Sequence, residues 1–211
     1  MPQHERRGPY DELYEARPQH VLWGPRPGRL IAEWLRRQPP RSTILDAGCG
    51  DGKNALAMRQ AGHVVVGFDV SRIAIAALQA RALKAGLSAD NFECCELVDY
   101  QPPAVVFDVI VSYGLLHCLD PASRVAQHRR LTGWLRPGGV LLFTCLTSEL
   151  PMPQDHRTPA VELVSRTQVQ EVLVGFSVIR DEAGVLREDH EPLVGPHRHS
   201  AIWVVARKDA R

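Results

Sequence analysis

The sequence predicts an α/β protein whose doubly wound, seven-stranded sheet is mostly parallel with an antiparallel edge strand. Short apolar runs alternate along the chain with stretches of helical spacing. The runs are apolar on both faces, which is typical of buried parallel strands. A glycine-rich turn joins the first run to the first helical stretch, and 211 residues suit one domain.

Five apolar runs predict the parallel strands, and helical stretches separate most of them. The helical stretches cover residues 53–60, 73–84 and 123–135, and glycine or proline follows the second and third as a stop signal. Strands and helices in alternation give right-handed crossovers. The predicted strands are residues 43–47, 63–70, 92–98, 105–112 and 140–146.

The last third of the chain has a different pattern. Residues 167–174 have helical spacing, and residues 176–179 and 201–207 then read as two strands joined by a long polar segment. Since no helix lies between these two strands, they are expected to pair antiparallel and to close one edge of the sheet.

The charge balance gives no reason to expect a nucleic-acid or membrane partner. Lysine and arginine number 25 against 24 for aspartate and glutamate, and the apolar stretches are no longer than strands. The five cysteines form no C-x-x-C pair, as expected of reduced, structural thiols. We therefore expect a cytoplasmic protein that acts on a small molecule. Composition gives no oligomeric state.

The glycine-rich turn is the most informative segment of the chain. A buried strand runs into LDAGCGDG, in which glycines permit a tight turn and let a ligand lie against bare backbone. Asp46 stands two residues before the first glycine, where a pyrophosphate gains nothing from a carboxylate but a cationic ligand does. The turn therefore favours a cationic nucleoside over a dinucleotide.

Two further acids follow the next two predicted strands. Asp69 ends the second strand, 69 − 46 = 23 residues after Asp46, where a carboxylate can accept both hydroxyls of a ribose. The alternative for Asp69 is a helix N-cap, which Ser71 supplies equally well. Asp99, which precedes Tyr100, can accept a hydrogen bond from the exocyclic amine of adenine. The alternative is that Asp99 is an ordinary turn aspartate.

The stretch from residue 43 to residue 146 resembles the class I S-adenosylmethionine-dependent methyltransferases. Its matching segments, in the family's order, are LDAGCGDG, GFDVS, VDY, FDVIVSYGLLHCL and LRPGGVLLF. The resemblance implies a Rossmann-like fold, S-adenosyl-L-methionine as the cofactor and S-adenosyl-L-homocysteine as the product. The cofactor contacts that it implies are Asp46, Gly48, Gly50, Asp69, Val70, Asp99, Tyr100 and Ser112.

Within this family, the short chain and the lead-in look most like the tellurite-resistance and thiopurine methyltransferases, which implies a small-molecule acceptor. On this interpretation residues 1–40 form a lid, residues 41–148 hold the cofactor, and residues 149–211 complete the sheet and border the acceptor. Tyr14 and Trp23 are expected to contact the acceptor from the lid. The alternative is that both rings simply pack on the domain surface.

Methyl transfer from a sulfonium requires alignment and exclusion of water more than it requires an acid or a base. A base is needed only when the acceptor arrives protonated. His117 and Tyr113 are the candidates, since both follow the fourth strand at the carboxyl edge of the sheet. His117 is equally compatible with a packing role at the start of a helix.

Histidines cluster before the last predicted strand. His197 and His199 are two residues apart, so on a strand they point the same way and can bind an anionic acceptor or a metal. The sequence shows no firm third ligand, so no metal is predicted. A solvated polar hairpin is the alternative.

Two other functions compete with a methyltransferase: a nicotinamide-dependent oxidoreductase and a non-catalytic nucleoside-binding protein. Lys53 stands in place of the third glycine of the dinucleotide fingerprint, which argues against the oxidoreductase. The complete set of Asp46, Asp69 and Asp99 argues against the non-catalytic nucleoside-binding protein, although a cofactor site does not by itself prove turnover.

Overall fold

The computed structural model describes residues 10–16, 22–37, 39–102, 106–152, 161–190 and 194–210. Seven strands form one sheet, and helices cover both of its faces. The strands are β1 (Thr43–Ala47), β2 (Val64–Asp69), β3 (Phe92–Cys94), β4 (Phe107–Tyr113), β5 (Leu135–Thr147), β6 (Phe176–His190) and β7 (Val194–Lys208).

The described residues form six α-helices and a short 3₁₀ turn at Leu116–Cys118. The helices that follow β1, β2 and β4 lie close to their predicted positions. Ser71 starts the second of these, because its hydroxyl accepts a hydrogen bond from the backbone N–H of Ala74. The helices are α1 (Asp11–Ala16), α2 (Arg29–Arg36), α3 (Lys53–Gln60), α4 (Arg72–Lys84), α5 (Arg124–Gly133) and α6 (Arg166–Val172).

The strand order across the sheet is β3-β2-β1-β4-β5-β7-β6. The first five strands are parallel, whereas β7 runs antiparallel to both β5 and β6. This confirms the predicted seven-stranded, mostly parallel sheet that an antiparallel pair closes at one edge. The reversed strand β7 is the inner member of that pair, and β6 is the edge strand.

The sheet buries side chains on both of its faces. On β1, Ile44 packs with α2, α3 and α4, while the next residue, Leu45, packs with α5 and α6 on the opposite face. Both side chains are fully buried. Continuous apolar runs are therefore required in the central strands, because consecutive residues of a strand face opposite layers.

Most predicted strand bounds lie within two residues of those in the structure, and one bound of each of the third and fifth strands differs by more. β3 ends at Cys94 and not at residue 98, because the chain turns there and the backbone N–H groups of Asp99 and Tyr100 donate to the carbonyl of Glu96. β5 begins at Leu135 and includes the Pro137-Gly138 segment. The fourth predicted strand begins at Val105, which lies outside the described residues, and β4 begins at Phe107.

The largest difference from the predicted fold lies between residues 179 and 201. The sequence predicts a polar connection there, but β6 continues to His190 and β7 already begins at Val194, so the two strands pair as a long antiparallel hairpin. Paired strands satisfy each other's backbone hydrogen bonds whatever the polarity of their side chains, so a polar segment can remain a strand. This extension carries the hairpin beyond the sheet and over one end of the cleft described below.

No helix within the described ranges has the length and apolar character that crossing a membrane demands.

Candidate active site

A cleft of about 480 Å³ opens at the carboxyl ends of the central strands, where ligands bind in open α/β sheets. This volume lies in the range of small-molecule sites. The turn after β1, the end of β2 and the segment after β3 form one end of the cleft. The other end lies among the 3₁₀ turn, β5 and the β6–β7 hairpin, and the lead-in segment covers both.

The glycine turn after β1 presents backbone to the cleft. Gly48, Gly50 and Gly52 all have φ between 53° and 89°, a region that side chains disfavour. The N–H groups of Gly48 and Cys49 donate to the carbonyl of Phe68, which fixes the turn against β2. A Cβ on Gly50 would lie only 2.8 Å from the Tyr14 hydroxyl, so glycine is also required by packing.

Asp69 holds its carboxylate at the cleft wall. The carboxylate accepts hydrogen bonds from the backbone N–H groups of Gly50, at 2.8 Å, and Ser71, at 2.9 Å. Because Ser71 caps α4 with its own hydroxyl, Asp69 is not needed as the helix cap. Burial raises the pKa of Asp69 to about 6, although the two N–H groups oppose that shift.

Asp46 lies beneath the glycine turn, at the end of β1, and does not line the cleft surface. Its side chain is 1% exposed, and its Oδ2 atom has no hydrogen-bond partner among the described residues. Burial, and next the charge of Asp69, raise the pKa of Asp46 to about 7. The Ser112 hydroxyl, on β4 beside β1, is likewise buried and unsatisfied within the described part of the chain.

The third acid position does not reach the cleft in the way that the sequence suggests. Asp99 is exposed, and Tyr100 is 1% exposed within the core, its ring centroid 4.4 Å from that of Phe68. Neither residue lines the cleft, so their interpretation as adenine contacts is not supported by the structure. The early end of β3 places Glu96 there instead. The signal that could have identified Glu96 is its position as the first acid after the short strand.

The lead-in segment, residues 10–16 and 22–28, lies over the glycine turn. Tyr10, Tyr14 and Trp23 all line the cleft, and the rings of Tyr10 and Trp23 meet edge to face at 5.3 Å. Val70 also lines the cleft. The described part of the lead-in therefore borders the cleft, residues 1–9 and 17–21 lie outside the described residues, and a lid role for residues 1–40 stays a prediction.

Polar contacts that the sequence did not reveal attach this segment to the core. The carboxylate of Asp51 accepts the backbone N–H of Leu22 at 2.8 Å, and the amide oxygen of Asn54 accepts that of Gly28 at 2.8 Å. The Lys53 ammonium donates to the carbonyl of Trp23 at 3.3 Å. Since Asp51 and Asn54 are both buried, these contacts define where the lead-in segment sits.

His117 lines the cleft from the 3₁₀ turn, but its geometry does not suit a general base. Its Nδ1 atom accepts the backbone N–H of Leu146 at 3.1 Å, so the neutral ring carries its proton on Nε2. Burial lowers the pKa of His117 to about 4, which keeps the ring neutral. His117 can therefore donate a hydrogen bond to a ligand but is not placed to accept a proton.

Tyr113 lies at the end of β4 and also lines the cleft. Burial raises the pKa of Tyr113, so the phenol stays protonated. The Trp203 side chain and the Arg29 backbone lie near the phenol, and both act to lower the pKa of Tyr113, by less than burial raises it. Gly28 packs against this ring so closely that a Cβ there would lie 2.4 Å from Cζ. Tyr113 therefore shapes the cleft and positions the lead-in segment, and it is not arranged as a base.

The chain is similar in sequence to known methyltransferases. Residues 44–139 match the family model described as a methyltransferase domain. The chain is 25% identical over 178 residues to the 2-heptyl-1-hydroxyquinolin-4(1H)-one methyltransferase of Mycobacteroides abscessus, which covers 83% of this chain and 75% of that protein. Residues 44–139 thus form a methyltransferase domain, and the chain is similar over most of its length to a small-molecule methyltransferase.

Two other matches place the methyltransferase among proteins of the same fold. It is 32% identical over 141 residues to the ubiquinone biosynthesis O-methyltransferase of Ralstonia nicotianae, which covers 65% of this chain but only 56% of that protein. The 1,6-didemethyltoxoflavin-N1-methyltransferase of Burkholderia thailandensis superposes with a TM-score of 0.64 at 19% identity, over 95% of this chain and 84% of that one. The second match shows a shared fold.

The β6–β7 hairpin contributes to the end of the cleft opposite the glycine turn. Leu186, Glu188 and Trp203 line it. His197 and His199 do not line the cleft; they lie together on β7, beside Glu188 of β6. The prediction that the two histidines point the same way agrees with this arrangement, whereas Glu188 was not identified from the sequence.

Proposed function

We propose that this methyltransferase transfers the methyl group of S-adenosylmethionine to an oxygen, nitrogen or sulfur atom of a small, flat, aromatic molecule. The observation that carries this proposal is the cleft itself: a backbone turn and a fixed Asp69 carboxylate at one end, and aromatic walls at the other. Such a cleft offers a nucleoside site and an acceptor site within one covered space.

The residues at the nucleoside end fit the cofactor. The Asp69 carboxylate is held where it can accept ribose hydroxyls, and Glu96 borders the adenine side. The unsatisfied, buried Oδ2 of Asp46 suits a nearby positive charge, which the amino group and the sulfonium of S-adenosylmethionine both provide. S-adenosylmethionine supplies an electrophilic methyl group. The chain positions the partners and excludes water.

The rings at the acceptor end support an aromatic acceptor. Tyr10, Trp23, Tyr113 and Trp203 line the cleft, and flat molecules stack favourably on such rings. The relatives named above include an alkyl hydroxyquinolone methyltransferase and a methyltransferase that acts on a didemethyltoxoflavin. In this proposal the Nε2–H of His117 donates to the acceptor and orients it without removing a proton.

We also propose a cytoplasmic location and no nucleic-acid partner. All five cysteines are free, as in a reducing compartment, and the net charge of +1 provides no attraction to phosphates.

A panel of acceptors tests the proposal. Purified protein is incubated with S-adenosylmethionine and hydroxyquinolines, catechols, aromatic thiols or aliphatic analogues, and methylated products are measured by mass spectrometry. We expect turnover of an aromatic compound, and Trp203→Leu should lower kcat/KM for it by about tenfold through lost ring contacts. Trp34→Leu, on α2 against His63, is the matched control. Turnover of aliphatic acceptors alone would contradict the aromatic assignment.

A further inference from the structure

We propose that Glu188, His197 and His199 form a binding site for a divalent metal ion of the zinc type, beside the acceptor end of the cleft. The β6–β7 hairpin creates this cluster. Glu188 pairs directly with His197 across the two strands, and His199 lies two residues further along β7. All three side chains therefore meet on one face of the hairpin.

The separations of the ligand atoms suit one shared ion. His199 Nε2 lies 3.6 Å from Glu188 Oε2, and His197 Nε2 lies 4.0 Å from the same oxygen. One ligand atom from each residue lies within 4.8 Å of the other two. These separations are too long for direct hydrogen bonds. Two atoms bound to one zinc ion at about 2.1 Å lie about 3–4 Å apart.

The orientation of His197 is that of a metal ligand. Its Nδ1 atom lies 2.7 Å from the carbonyl of Gly195, which can only accept, so Nδ1 carries the proton. The lone pair of a neutral His197 is then on Nε2, the atom that faces Glu188. Histidines that bind metals commonly donate their other ring N–H to a backbone carbonyl in this way.

Burial adds a second argument. The side chains of His197 and His199 are 5% and 1% exposed, and that of Glu188 is 16% exposed. A carboxylate and a nitrogen lone pair that face each other with little water around them are stabilised by a cation between them. Two imidazoles and one carboxylate are a common ligand set of zinc sites that also bind a substrate or water.

The position of the cluster suggests its use, which rests on the function proposed above. Glu188 also lines the cleft. His117 is not arranged to remove a proton, because its Nδ1 atom already accepts a hydrogen bond, and Tyr113 is not, because its phenol stays protonated. A metal at this point would bind the acceptor's hydroxyl or thiol, whose proton leaves to water. The oxygen or sulfur atom then forms a bond to the methyl carbon as the sulfonium S–C bond breaks, which yields S-adenosylhomocysteine.

Metal binding can be tested without knowledge of the acceptor. Protein purified without a histidine tag and treated with a chelator is titrated with Zn²⁺ by calorimetry. We expect one ion per chain with micromolar or tighter affinity. Glu188→Gln, His197→Ala and His199→Gln should each weaken binding at least about tenfold. Glu182→Gln, on the same strand and paired with Arg29 and Arg180, should leave it unchanged.

A parallel titration with S-adenosylhomocysteine checks that each variant is folded and separates the two proposals. Zinc binding that is lost in the three variants supports the site even if the cofactor does not bind. The absence of zinc binding by wild-type protein would overturn the site. Zinc binding that all three variants retain would also overturn it, since the ion would then lie elsewhere. If Glu188→Gln lowers methylation but no zinc binds, Glu188 acts directly as a base and the metal proposal is wrong.

Discussion

Asp69 and the glycine turn show how far the positions of single site residues can be predicted from the sequence. Their positions follow from one rule, that parallel strands in such a sheet end at the same edge, and the structure places Gly48, Gly50, Asp69 and Val70 around one cleft. Asp99 did not follow the rule, because β3 ends four residues earlier than its apolar pattern suggests. Local pattern locates a strand better than it locates the strand's end.

His117 and Glu188 show why catalytic roles were harder to predict. The sequence places His117 at the correct edge of the sheet but cannot show that a backbone N–H occupies its Nδ1 atom. Glu188 lies nine residues before His197, and only the register of the hairpin brings the two together. Both facts depend on contacts between elements, which no local pattern encodes.

The two buried carboxyls make cofactor binding dependent on pH. The pKa is about 7 for Asp46 and about 6 for Asp69, so both carry more proton near pH 6 than a free aspartate does. Cofactor binding favours the ionised forms. We therefore expect affinity for S-adenosylmethionine to rise from pH 5.5 to 8, with protons released on binding near pH 6.5. Calorimetry in two buffers of different ionisation enthalpy measures that release.

The same carboxyls affect stability in the opposite direction. The folded, ligand-free protein binds more protons than the unfolded chain between about pH 4 and pH 7, so the free energy of unfolding should fall as pH rises through this window. Asp46→Asn should reduce both effects, and Asp90→Asn, an exposed control, should change neither. Cofactor affinity that is constant with pH would show that these groups do not titrate on binding.

At the scale of elements, the lead-in segment and the hairpin shape the end of the cleft that we propose for the acceptor. The lead-in was recognisable in the sequence as an aromatic, proline-rich segment before the core, but its attachments to Asp51 and Asn54 were not. The hairpin was predicted only in part, since polar side chains hid the continuation of β6 and β7. Strand pairing there is fixed by the partner strand and not by side-chain pattern.

Gly28→Ala tests how tightly the lead-in segment is fitted. The new Cβ would meet the ring of Tyr113, so either the ring or the segment must move. We expect a loss of about 1–3 kcal/mol in the free energy of unfolding, measured with denaturant, and a lower kcat/KM. Gly133→Ala, where nothing lies within 4 Å, is the matched control and should gain up to about 1 kcal/mol. Equal stability of the two variants would mean that the contact is not tight.

At the scale of the whole molecule, the alternation of strand and helix was enough to predict the fold. Apolar runs buried on both faces require helices above and below the sheet, and right-handed crossovers leave few ways to connect them. The position of β7 between β5 and β6 was not predictable in the same way. Either late strand could have paired with β5, and the choice depends on packing across the whole sheet.

The central claim is that this cleft holds S-adenosylmethionine through Asp69. Calorimetric titration of wild-type protein and of Asp69→Asn with S-adenosylmethionine, beside reduced nicotinamide dinucleotide, tests it most directly. We expect micromolar binding of S-adenosylmethionine by the wild type, at least about tenfold weaker binding by the variant through lost charged hydrogen bonds, and no binding of the dinucleotide. Binding of the dinucleotide instead, or binding of S-adenosylmethionine that Asp69→Asn leaves unchanged, would contradict it.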